Sequence, residues 1–71
     1  MSIVKITATI NKGKDKIVRS IEVNEKDYEH SCFEDILWNE ENYLRKEMGK
    51  EYGQPVDFVE WEEIKEEDND R

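Results

Sequence analysis

His30 and Cys32 are the only imidazole and the only thiol in the 71-residue chain, and they stand two positions apart. Such a pair could open a metal site or a nucleophilic dyad. A structural zinc site needs about four nitrogen or sulfur ligands, and a dyad needs a third group to orient its base. Only carboxylates are left to complete either set, so a hydrated imidazole and a semi-buried thiol near a helix start are expected instead. The carboxylates form the larger chemical resource, but none is marked out as an acid or base. A general acid needs an apolar pocket to raise its pKa, and a chain this short can hardly supply one. Asp68-Asn69-Asp70 resembles the first half of a calcium loop, without the glycine and the closing glutamate that such a loop requires. Lys12-Gly13-Lys14 combines glycine with positive charge as phosphate loops do, but it leads into a strand, where no ring of helix N–H groups is offered. No catalytic residue, metal or cofactor is expected, and the chain is read as non-enzymatic.

The charge is strongly divided along the chain. Residues 1–19 hold Lys5, Lys12, Lys14, Lys16 and Arg19 against Asp15, or +4; the remainder holds six bases and eighteen acids, or −12, and the two sum to the formal −8. Such a field governs partner choice and association rate. The small positive region could touch a phosphate backbone, but the larger negative one opposes it, so direct nucleic-acid binding is not expected. A lone cysteine permits no internal disulfide and suits a reducing compartment. No apolar run is long enough for a signal peptide or a membrane span. The expected location is the cytoplasm, away from membranes.

These groups must be positioned by one small domain, residues 1–65, followed by an acidic tail, 66–71, expected to be disordered. Ile3–Ile10 alternates cleanly, with Val4, Ile6, Ala8 and Ile10 on one side, and predicts a strand. Asn11–Asp15 predicts a hairpin loop, and Lys16–Val23 a second strand whose apolar side carries Ile17, Arg19, Ile21 and Val23. Ser31 and Glu34 have capping-box spacing, with Asp27 as a competing cap. A helix should run to about Lys50, closed by Gly49 or Gly53, with Phe33, Ile36, Leu37, Leu44 and Met48 on its apolar face. Val56–Ile64 predicts a third strand with ambiguous faces: Val56 and Phe58 on one, Val59 and Trp61 on the other. The order β-β-α-β gives an α+β two-layer sandwich, a three-stranded sheet in the order 2-1-3 with one helix on one face. The expected core is Val4, Ile6, Ala8, Ile10, Ile17, Ile21, Phe33, Leu37, Leu44 and Met48.

Arg19 and Glu40 each interrupt an apolar stripe on elements that should pack face to face. Two arrangements are open: a mutual pair, or a β-bulge at Arg19 with a helix break near Asn39 that leaves both in water. Trp38 lies off the core stripe and is expected to be exposed; Trp61 is open between packing at the core or its edge and exposure in an interface patch. One helix covers one face of the sheet, so the other is left open, and an exposed aromatic patch there or nearby suits an interface.

The hairpin Val4–Val23, the acidic helix Ser31–Lys50 and a last strand with tryptophan among glutamates, Val59-Glu60-Trp61-Glu62-Glu63, together resemble small acidic proteins encoded by phages and prophages. Characterised proteins of that kind include anti-CRISPR proteins and other inhibitors of host defence or nucleic-acid machinery. The resemblance implies action in the host cytoplasm on a basic host protein, such as a CRISPR effector, and it transfers no functional residue. Two functions follow for this chain. In the first, its carboxylates imitate a row of phosphates and occupy a basic nucleic-acid-binding groove. The candidate residues are Glu40, Glu41, Glu47 and Glu51 on the helix and Glu60, Glu62, Glu63, Glu66, Glu67 and Asp68 at the end, with Trp38 and Trp61 beside them. In the second, the open sheet face or an edge strand serves assembly, as a homodimer or as an antitoxin-like module.

Overall fold

Alternating β-branched residues build β1 (Ser2–Lys12) and β2 (Asp15–Asn24), joined by Gly13-Lys14. A 3-10 turn at Glu25–Tyr28, the helix α1 (Phe33–Tyr52) and β3 (Phe58–Lys65) follow, in a computed structural model that describes residues 2–28 and 30–65. The sheet order is β2-β1-β3, with both pairings antiparallel and α1 on one face, which is the expected α+β architecture. Gly13 takes φ 63° while Lys14 keeps a negative φ, the pattern of a type II′ hairpin turn. The loop is therefore two residues long, shorter than the expected Asn11–Asp15, and Lys12 pairs with Asp15.

The core lies between the inner face of the sheet and one stripe of α1. Ile6, Ala8, Ile10 and Met48 are fully buried, with Val4, Val23, Leu37, Leu44 and Val56 nearly so. Ile17, Ile21 and Phe33, expected in the core, are half-buried at its margin, while Val23 and Val56 complete it. Ile17 and Ile21 stand on β2, an edge strand that the single helix covers less fully than central β1.

Local signals at the helix ends resolve in one direction each. The Ser31–Glu34 capping box does not form: Cys32 occupies the N-cap without a side-chain bond, and Asp27 lies in the 3-10 turn. The exposed Cys32 contradicts the expected semi-buried thiol. At the other end Gly53, at φ 69°, donates its N–H to the Gly49 carbonyl at 2.9 Å and stops the helix. Val56 then packs inward before β3 begins at Phe58, two residues later than expected. The Asp57 N–H donates to the Thr9 carbonyl and the Asn11 N–H to the Asp57 carboxylate, which sets the register of β3 on β1.

That register decides the faces of β3. Val59 stands opposite Ala8 and Trp61 opposite Ile6, so both share the helix side, while Phe58 pairs with Thr9 on the uncovered side. β2 is continuous through Arg19, which pairs with Ala8, and α1 is unbroken at Asn39, so neither the bulge nor the helix break occurs.

Candidate protein-binding surface

Arg19 points to the helix side, as its alternation requires, but its partner is Glu51 and not Glu40. Its Nη2 donates to Glu51 Oε1 at 2.8 Å and to the Tyr52 hydroxyl at 3.2 Å, and the guanidinium sits 5.8 Å from the Tyr52 ring centre. The hydrogen bond to Glu51, and then that carboxylate's charge, raise the Arg19 pKa above its ordinary value. Glu40 and Glu51 are eleven residues apart, so they share a helical direction to within about 20°, but they stand roughly 16 Å apart along the axis. Angle alone could not choose between them. The level of Arg19 on β2, beside the last turn of α1, does.

Glu41 is the carboxylate that enters the apolar stripe. It follows Leu37 by four residues, hence about 40° round the helix from it, and is 7% exposed. Its presence among outward-projecting acids is therefore corrected. Trp61 Nε1 donates to Glu41 Oε1 at 2.9 Å, and Arg45 Nε donates to Glu41 Oε2 at 3.0 Å. Both oxygens are thus occupied, which makes burial of the charge tolerable. Trp38, 52% exposed, leans from the helix to meet Trp61, 37% exposed, edge-on with ring centres 5.3 Å apart. Trp38, Glu41 and Arg45 all lie on the side of α1 turned towards β3, whereas Glu51 reaches β2. The helix therefore bridges both edge strands by polar contacts while its apolar stripe covers β1.

The uncovered sheet face reads as cross-strand rows. Asn24, Ile3 and Ile64 form one end; then come Glu22, Lys5 and Glu62, then Ser20, Thr7 and Glu60, then Val18, Thr9 and Phe58. The acids Glu22, Glu60 and Glu62 are exposed, with Lys5 between two of them. Val18 and Phe58 are 54% and 44% exposed, and they flank a buried Thr9.

The expected acidic surface is therefore redistributed. Glu41 and Glu51 are engaged by Arg45 and Arg19, the two ion pairs among the described residues. Glu40 and Glu47 are half-buried. Glu63 is exposed and accepts a hydrogen bond from the Ser2 hydroxyl at 2.8 Å. Glu60 and Glu62 are exposed on the open face, and the structure brings Trp38 and Trp61 together beside their strand. Glu66, Glu67, Asp68 and the rest of the expected tail lie outside the described residues. Sequence reasoning missed Arg45 and Glu22. The first was signalled by its i,i+4 spacing from Glu41; the second needed the hairpin register that sets it across from Lys5.

Among the described residues no cluster of His, Cys, Asp or Glu could hold a metal ion, and no helix is long and apolar enough to cross a membrane. No protein-family model, curated protein or solved structure matches this chain.

Proposed function

We propose that this chain is a non-enzymatic acidic binding protein that occupies a basic groove of a nucleic-acid-handling protein, in the manner of the phage-encoded inhibitors its sequence resembles. One observation carries the reading. With Glu41 and Glu51 engaged by arginines of the same chain, the exposed acids Glu60 and Glu62 on the open face and Glu63 on the helix side surround Trp61 on the edge strand β3, with Trp38 beside it. Acids on a strand edge discourage unselective pairing, and beside exposed aromatics they suit a basic partner. The acidic field would speed encounter with such a groove and make it salt-sensitive.

The test is capture of partners from a bacterial lysate, mass identification, and then competition. Double-stranded DNA or RNA should displace the captured protein, and affinity should fall steeply with salt. The variant Glu60→Lys/Glu62→Lys should bind at least tenfold more weakly, or about 1.4 kcal/mol. A captured partner without a basic groove, or one that nucleic acid does not displace, would refute mimicry.

A further inference from the structure

We propose that the outer edge of β3, with Trp38 and Trp61 beside it, is the docking strand for an extended, arginine-bearing segment of a basic protein. The inference rests on the function proposed above and specifies which element makes the contact and what it contacts.

β3 pairs with β1 on one side, and among the described residues no strand pairs with its other side. Phe58, Glu60, Trp61, Glu62 and Glu63 are exposed along it. Its backbone groups on that side are a template for a further strand. A second copy is a poor occupant. In an antiparallel self-pair centred on Trp61, Glu60 of each copy would face Glu62 of the other, and like charges directly opposite destabilise a ladder. This argues against the self-pair centred on Trp61, and the excess of acids along β3 favours a strand of opposite charge.

The tryptophans select the kind of positive charge. Trp61 is held before any partner arrives: its N–H is fixed by the buried Glu41, Glu41 is held by Arg45, and its ring rests edge-on against Trp38. A pre-ordered aromatic pair loses little freedom on binding. Side chains of an incoming strand alternate as those of β3 do. Those on the open face meet Glu60 and Glu62; those on the helix side meet Trp61, Glu63 and, through Trp61, Trp38. An arginine fits both faces, since its planar guanidinium forks onto carboxylate and stacks on indole, whereas lysine is a hydrated point charge. The fold already uses that combination once, where Arg19 lies against Tyr52 and Glu51.

The experiment titrates the full chain with three eight-residue peptides that alternate threonine with arginine, lysine or aspartate, read by calorimetry and by tryptophan emission. The arginine peptide should bind and shift the emission, the lysine peptide should bind at least threefold more weakly, and the aspartate peptide should not bind. Trp38→Ala, at a half-exposed site, should weaken the arginine peptide tenfold or more while circular dichroism and the urea midpoint stay near wild type. Trp38→Phe, which keeps a ring there, should restore most of the affinity. Equal binding of arginine and lysine peptides, or Trp38→Ala within twofold of wild type while Glu60→Lys/Glu62→Lys loses binding, would overturn the tryptophan-edge assignment and leave the acidic-groove function standing. A salt-strengthened dimer in sedimentation equilibrium, lost in a Trp61→Glu variant that remains folded, would overturn it in favour of a second copy. Peptide binding as described, with no displacement of the lysate partner by nucleic acid, would support the docking strand and refute the mimicry.

Discussion

Replacing Glu41 by alanine tests whether the buried carboxylate positions Trp61. The side chain accepts two hydrogen bonds, at 2.9 Å from Trp61 and 3.0 Å from Arg45. A hydrogen bond to a charged group contributes about 1.5–3 kcal/mol, but both donors here have an escape to water. The Arg45 side chain is 43% exposed, so its share is that of a surface i,i+4 pair, about 0.3–0.5 kcal/mol. Trp61 is 37% exposed and can regain part of its N–H hydration. Removing the carboxylate also relieves its own desolvation and places a better helix former in the chain. The net expectation is a loss of about 1–2 kcal/mol, from a domain whose total stability is on the order of 4–10 kcal/mol at ordinary per-residue values. Urea denaturation followed by far-ultraviolet circular dichroism measures it without relying on the altered indole. A cycle with Trp61→Phe isolates the bond: the coupling should be about 1 kcal/mol. A coupling under about 0.3 kcal/mol, the scatter of independent sites, would show that Glu41 does not hold Trp61. A stabilised Glu41→Ala variant would show that burial of the carboxylate costs more than its bonds return.

Ile6→Ala, at a fully buried position on the central strand, should cost about 2–5 kcal/mol in the same assay, and less than about 1 kcal/mol would contradict the facing of β1. In urea midpoints, Arg19→Ala and Glu51→Ala should show a small but measurable coupling, as expected of an exposed pair, whereas Arg19→Ala and Glu40→Ala should add independently; the reverse would restore Glu40 as the partner. Gly53→Ala forces a side chain into φ 69°, where nothing lies within 4 Å of the new carbon, so the cost is conformational, about 1–2 kcal/mol. A midpoint unchanged by Gly53→Ala would mean that the helix ends elsewhere.

The sheet order and the inner face of β1 were legible because a half-buried strand must alternate, and Val4 to Ile10 does so without exception. The helix was legible from its apolar stripe, and its end from the available glycines. Three features were not. The choice of Glu51 over Glu40 depends on how far along its axis the helix sits, which no angular pattern contains. The face of Trp61 depends on the β1–β3 register, set by backbone and side-chain bonds at Thr9, Asn11 and Asp57 that join segments distant in sequence. The inward turn of Glu41 was missed because its neighbour Glu40 falls about as near the stripe by angle, and only Arg45 and the Trp61 N–H, which satisfy Glu41, decide between the two. The acidic surface was therefore legible in amount and not in location.

The two strand pairings of β1 differ greatly in the chain they must close. β1 meets β2 across a two-residue turn, whereas the hydrogen bond from Ser2 to Glu63 spans 61 residues. Loop-closure entropy and the cost of non-local contacts make the hairpin the early event and the docking of β3 the late one. Trp61 enters the structure only with β3, so the indole pair is assembled at the final step and is the first feature lost when that strand lets go. Tryptophan emission in a stopped-flow refolding trace then follows the docking of β3, while amide protection of the hairpin follows the scaffold. The edge proposed above for docking is thus the part of the sheet that local opening frees first, and a strand bound there would lock the last-formed part of the sheet.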